Sequence, residues 1–116
     1  MHPDLSRLRR PTVIDTIPLK QLIRMRFIES VLVTTRYLNP TDITRVFEVK
    51  RPTVLSDIKR YKALNPGILW QRKNSKYMAT FCFTPVKGLM PEGVSHEDYL
   101  TALTSVTGKQ MIAGPR

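Results

Sequence analysis

Apolar residues recur at helical spacing from Leu19 to about Arg36. Leu19, Leu22, Ile23, Phe27 and Val31 fall on one stripe, and Ile28 and Leu32 widen it. No glycine or proline interrupts the run, so the pattern predicts a helix. Asn39-Pro40 reads as a cap followed by proline at the first helical position, where a missing N–H costs nothing. A short second helix over Pro40–Phe47 then turns Ile43, Val46 and Phe47 inward. Glu48-Val49-Lys50 is the tight connection to a third helix, Arg51–Leu64, with Pro52 in its first turn and Asn65-Pro66-Gly67 as its stop. The period then changes. Ile68–Gln71 and Lys76–Phe83 are strand-like and the turn Arg72-Lys73-Asn74-Ser75 joins them, which predicts a β-hairpin. Pro85, Gly88, Pro91 and Gly93 make a loop. Ser95-His96-Glu97-Asp98 is a capping-box-like start to a last helix carrying Tyr99, Leu100, Leu103 and Val106.

The order helix, short helix, tight turn, helix, hairpin predicts an α+β, mostly α fold: a winged helix-turn-helix of three helices and a β-hairpin wing, with an additional C-terminal helix. The expected organisation is an N-terminal basic arm over residues 1–17, the winged helix over 18–88, the C-terminal helix over 89–106 as a possible dimerisation element, and a tail over 107–116. There is no internal repeat and no low-complexity tract. A helix of about a dozen residues is marginal alone, so the apolar positions of residues 89–106 must pack on the arm, on the first helix or on a second copy.

Charge sharpens this picture. Of the net +10, residues 18–65 hold +6 and residues 66–88 hold +4, the latter from Arg72, Lys73, Lys76 and Lys87 with no acid among them. From residue 49 to 88 the only acid is Asp57. Such a segment suits a polyanion, because neutralising phosphates releases counterions; a basic surface kept for solubility is the plainer alternative. Rotating about 100° per residue along the third helix puts Val54, Leu55, Ile58 and Tyr61 on one packed arc. Thr53, Ser56 and Arg60 fall opposite, flanked by Pro52 and Lys59. That face is small and polar at its N-terminal end, as close approach to base edges requires, and cationic further along. Lys50 and Arg51 sit at the positive end of the helix dipole, where backbone phosphates bind. Asp57, at the boundary of the packed arc, is expected to steady an arginine or a helix end rather than to read a base. In the hairpin Arg72, Lys73 and Lys76 are the expected phosphate contacts, with Asn74 at the tip. Trp70 and Tyr77, facing across the hairpin, are expected in the core. Arg7, Arg9 and Arg10 of the arm either enter a minor groove or fold back on the domain.

Other classes find little support. His2 and His96 have no metal-ligand spacing, Cys82 has no partner base, and there is no Gly-rich phosphate loop or apolar carboxylate pair, so neither catalysis nor a metal or cofactor is implied. Cys82 stands alone between two phenylalanines and is expected to be a buried small hydrophobe. No apolar run approaches the ~20 residues of a membrane span and no secretory signal opens the chain, so a cytoplasmic compartment is the default. An interaction module docking to a transcription or replication complex, and non-specific nucleic-acid binding, remain as alternatives.

Over residues 24–85 the sequence resembles the N-terminal winged helix-turn-helix of WYL-domain transcriptional regulators, the type that governs bacterial phage-defence loci. The likeness is carried by Arg26-Phe27-Ile28-Glu29, by Leu38-Asn39-Pro40-Thr41-Asp42-Ile43, by Phe47, by Pro52 through Tyr61, by Tyr77 and by Phe83-Thr84-Pro85. It implies a bacterial or phage-encoded, nucleoid-associated repressor that binds double-stranded DNA as a homodimer, setting the third helix and the wing on an inverted repeat. The turn departs from the pattern, with Glu48 and Lys50 where such proteins usually have glycine and serine; a left-handed glutamate is strained. The sequence has no WYL domain, so effector sensing through one is not implied.

Overall fold

The computed structural model describes residues 13–109. The expected arm contacts at Arg7, Arg9 and Arg10, and residues 110–116 of the expected tail, lie outside them. A 3-10 turn at Ile14–Thr16 precedes α1 (Leu19–Thr35), β1 (Tyr37–Leu38), α2 (Pro40–Phe47), α3 (Arg51–Leu64), β2 (Ile68–Gln71), β3 (Lys76–Ala79) and α4 (His96–Thr107). The fold is the predicted one, four helices with a small antiparallel sheet. No helix among the described residues is long and apolar enough to cross a membrane.

α1 is the central rod. It packs against α2, α3, α4, β1 and β3, and its residues from Phe27 to Leu32 are buried without a break, Glu29 and Ser30 included. A helix surrounded on all sides has no solvent face to keep polar. Met25, Phe27, Ile28, Val31 and Leu32 meet Ile43 and Val46 of α2 and Val54, Ile58 and Tyr61 of α3 in one core, with Phe27 edge-on to Phe47 at 5.4 Å. Leu19, at the exposed entry of α1, does not join it. Asn39 caps α2 by accepting the Thr41 N–H at 3.0 Å, with Pro40 behind it. Between α2 and α3, Glu48 adopts the left-handed conformation at φ 55° that glycine usually supplies. Lys109 closes over this turn, its ammonium donating to the Arg45 carbonyl at 2.8 Å and to Glu48 Oε2 at 2.7 Å. That contact holds the Glu48 carboxyl below its ordinary range.

The sheet has the order β1-β3-β2. The two-residue β1 was not anticipated; it pairs Tyr37 with Met78 and Leu38 with Tyr77, tying the wing to the end of α1. Three expectations need correcting here. The third strand ends at Ala79, short of Phe83, because Thr80 turns the chain: its N–H and hydroxyl both donate to the Gly67 carbonyl, and its own carbonyl accepts the Phe83 N–H. Cys82 therefore lies on an exposed turn, not in the core, beside Phe81, which is 98% exposed. Trp70 and Tyr77 do face each other in register, with ring centroids 4.8 Å apart, yet Tyr77 packs on the core while Trp70 stays 40% exposed. Gly67 is needed for space: a Cβ there would meet Phe83 Cα at 2.6 Å.

α4 packs on α1, one of the three places open to it. Tyr99 donates to the Ile23 carbonyl at 2.9 Å, and Leu100 is buried. Burial pushes the Tyr99 phenol up to about 12. Val106, expected among the packed positions, is 82% exposed. Beneath α4 lies the buried Glu29. Its Oε1 accepts from the Tyr61 hydroxyl at 2.8 Å and the Val86 N–H at 2.6 Å, and its Oε2 lies 2.9 Å from His96 Nε2. Asn65 extends the network by donating to Tyr61 Oη and the Thr84 carbonyl while accepting the Gly67 N–H. α1, α3, the wing's root and α4 thus share one set of satisfied buried polar groups. Burial, with the nearby Glu29 charge, raises the Tyr61 phenol well above the ordinary tyrosine range.

Candidate nucleic-acid interface

α3 owes its orientation to its buried side. Val54, Ile58 and Tyr61 pack inward as expected, but Leu55 is 45% exposed, which corrects its assignment to the packed arc. The reason is Asp57, which is completely buried. At about 100° per residue, an arc that takes in Asp57 as well as Ile58 is centred close to Val54, and Leu55 falls outside it. Asp57 can be buried because α1 satisfies it. Arg24 donates through Nε to Oδ2 at 2.5 Å and through Nη2 to Oδ1 at 3.2 Å, and Gln21 Nε2 donates to Oδ1 at 3.0 Å. Asp57 thus steadies an arginine, as its position on the helix suggested.

The opposite face of α3 is open. Ser56, Lys59 and Arg60 are exposed and line one hollow with Gln21 and Ala63; Thr53 is half-buried at the flank. Lys50 is the N-cap residue, without a side-chain cap bond, and it and Arg51 are exposed. Arg72, Lys73, Asn74 and Lys76 cluster at the exposed tip of the wing, where Gln71 pairs with Lys76 and the turn closes through a left-handed Ser75 at φ 53°. Asn74 is partly engaged, its amide donating to Gln71 Oε1 at 3.2 Å. The structure therefore gathers the sequence-predicted residues into two exposed groups, one along α3 and one at the wing tip.

Which cations are free to meet an anion is decided by their partners. Arg24 is held by Asp57 and Arg45 by Asp42. Arg26 donates to the Leu89 carbonyl at 2.8 Å, and Arg36 donates to the carbonyls of Ala79 and Thr80. By contrast, Lys50, Arg51, Lys59, Arg72, Lys73 and Lys76 form no ion pair among the described residues. The positive charge of the helical core is used in holding the fold, and that of α3 and the wing is presented outward.

Residues 20–105 match the family described as the BrxR transcriptional regulator winged helix-turn-helix domain. The chain belongs to this family. No curated protein gives a significant match. The match runs from the first turn of α1 to the last turn of α4 and takes in α2, α3 and the wing, and it bears out the resemblance to phage-defence regulators drawn from residues 24–85. This BrxR-family domain is accordingly a winged-helix, DNA-binding module of the transcriptional-regulator type.

Two residues of the BrxR-family domain that bear on its exposed α3 face escaped sequence reasoning. An apolar residue adjoining Val54 fits a helical stripe, so periodicity alone turns Leu55 inward; only the burial of Asp57 shows otherwise. Gln21 carried no signal at all, since its importance lies in a contact with Arg60 some 39 positions away.

Proposed function

We propose that this domain is a sequence-specific double-stranded DNA-binding repressor that engages an inverted repeat as a homodimer, in the cytoplasm of a bacterial cell. In this reading Ser56 and Arg60, with Thr53 at the flank, contact base edges from α3. Lys50, Arg51 and Lys59 contact the backbone beside them, and Arg72, Lys73, Asn74 and Lys76 contact backbone from the wing. Leu55, exposed on the same helix, suits a thymine methyl. The observation that carries the reading is the division of charge: arginines of α1 and α2 are tied to carboxylates and carbonyls, while the cations of α3 and the wing form no ion pair among the described residues. Dimerisation is supported by the physics of two linked half-sites, which turns weak contacts into one strong engagement, and by the exposed apolar Val106 on α4.

The test is selection of bound fragments from a genomic duplex library, followed by Arg60→Ala and Lys73→Ala. The first is expected to relax preference at one base pair, at a cost of about 1–3 kcal/mol. The second is expected to weaken all duplexes alike and lower the salt slope by about one. Wild-type binding by both variants would remove the surface assignment, and sedimentation showing only monomer, free and on DNA, would remove the dimer. One observation favours a second reading, docking to a protein: Tyr37, Met78 and Leu69 form an apolar row across the outer side of the sheet. A shallow salt dependence of binding would select that reading.

A further inference from the structure

Gln21 stands in the first turns of α1, half-buried, between two side chains of α3. Its amide nitrogen donates to the buried Asp57 at 3.0 Å, and its carbonyl accepts from Arg60 Nη1 at 2.8 Å. Chemistry fixes which end faces which neighbour: a carboxylate only accepts and a guanidinium only donates. Asp57 is itself locked by the two bonds from Arg24. A continuous chain Arg24–Asp57–Gln21–Arg60 therefore runs from a buried ion pair to the exposed face of α3. At its outer end Gln21 and Arg60 line the same hollow as Ser56 and Lys59. One N–H of the Arg60 guanidinium is tied, and among the described residues the others have no partner.

We propose that Gln21 is a positioning residue for base reading: it holds the Arg60 guanidinium in one orientation, so that α1 and α3 jointly set selectivity at the base pair Arg60 addresses. This rests on the reading of Arg60 as a base contact. An exposed arginine samples many rotamers and loses that freedom on binding. A guanidinium already oriented by a rigid neighbour loses less, and a bidentate contact to guanine depends on orientation more than on charge. Gln21 is neutral, so its contribution is to direction and leaves the count of neutralised phosphates unchanged.

The experiment is selection from a randomised duplex library with the wild type, Gln21→Ala, Gln21→Glu, Arg60→Ala and the double variant Gln21→Ala/Arg60→Ala. Binding of the enriched duplex and of its single-base-pair variants is then measured at several salt concentrations. Gln21→Ala is expected to lose about three- to tenfold of preference, at the same base pair that Arg60→Ala affects, with the salt slope unchanged. The double variant is expected to be no less selective than Arg60→Ala alone, since neighbours acting as one unit are not additive. Gln21→Glu puts a second carboxylate against Asp57 where the amide N–H donated; it is expected to lose preference at that base pair as Gln21→Ala does, while its extra negative charge also weakens every duplex. A uniform loss of affinity in Gln21→Ala, a loss confined to other base pairs, or full additivity with Arg60→Ala overturns the proposal. If Arg60→Ala relaxes preference and Gln21→Ala does not, only the positioning role falls. If Arg60→Ala leaves preference intact, the base contact itself falls and takes the positioning role with it.

Discussion

α4 begins at Ser95, whose hydroxyl accepts the Asp98 N–H at 3.0 Å, and it carries Glu97 and Asp98 in its first turn. α3 begins at Lys50, which makes no side-chain cap bond, and has Arg51 and Pro52 but no acid in its first turn. The positive end of a helix dipole is stabilised by negative charge and opposed by positive charge. α4 is therefore completed by its own residues, and His96 and Tyr99 then fasten it to Glu29 and the Ile23 carbonyl of α1. α3 places two cations where intramolecular electrostatics favours anions, and neither forms an ion pair among the described residues. A helix start made this way is at its best only beside an external anion, and duplex phosphates are the anion this family's function supplies.

The largest effect expected from probing this contrast is at the base of α4. Glu29→Ala removes a fully buried carboxylate and strands the Tyr61 hydroxyl, the Val86 N–H and His96 together. Loss of one partner from a buried charged network costs about 3–5 kcal/mol, and urea denaturation of the two proteins measures it. A loss below about 1 kcal/mol, the net value of one ordinary hydrogen bond, would mean that α4 is not anchored as its geometry indicates.

Alkaline pH acts on the same region. Tyr61 and Tyr99 ionise less readily folded than unfolded, Tyr99 only near 12. The unfolded chain therefore gives up these protons first. Their contribution to stability is fully present below the ordinary tyrosine value of about 10 and is lost as pH rises through 10 toward 12. Denaturation midpoints recorded from pH 8 to 12 are expected to fall over that window, and Tyr99→Phe to flatten the fall. A flat profile in the wild type would contradict the burial of both phenols.

Ser95→Ala comes next. Loss of an N-cap hydroxyl costs about 1 kcal/mol, read from the thermal midpoint, and the salt dependence of DNA binding should not move. If that dependence does change, α4 is not the self-contained element that its first turn suggests.

The fold was legible because its signals are local. Asn39-Pro40, Asn65-Pro66-Gly67 and Ser95 mark where helices start and stop, and periodicity fills the intervals. Several residues carrying the family likeness, among them Phe27, Glu29, Asp57 and Tyr61, prove to be core or buried-network residues, so the likeness records how the domain is held together more than what it touches. What could not be read was set by contacts distant in sequence. β1 is two residues long and exists only because β3 lies beside it. Leu55 is displaced outward by an aspartate whose burial depends on Arg24 and Gln21, more than thirty positions away. Cys82 and Phe81 look like a strand's core residues until Thr80 bends the chain back to Gly67. At the candidate interface, the exposed cations of α3 and the wing were named from charge and helical phase, whereas the partners that occupy Arg24, Arg26 and Arg36 appear only in three dimensions.

The smallest effect is the most discriminating. Lys50→Glu and Arg51→Glu each replace a cation at the start of α3 with the charge that α4 already has at its own. If the α3 arrangement exists for a ligand, folding and binding must move in opposite directions. Each substitution is expected to raise stability by about 0.3–1 kcal/mol at low salt, the value of a favourable charge–dipole contact at an exposed helix end. Each is also expected to weaken every duplex and lower the salt slope by about one. Calorimetry and salt-dependent binding on the same preparations measure the two signs. A stabilised variant that binds DNA less well matches a helix start shaped for phosphate, whereas a destabilised one would mean that Lys50 and Arg51 serve the fold, and the contrast with α4 would no longer distinguish a surface made for DNA from one made for the chain itself.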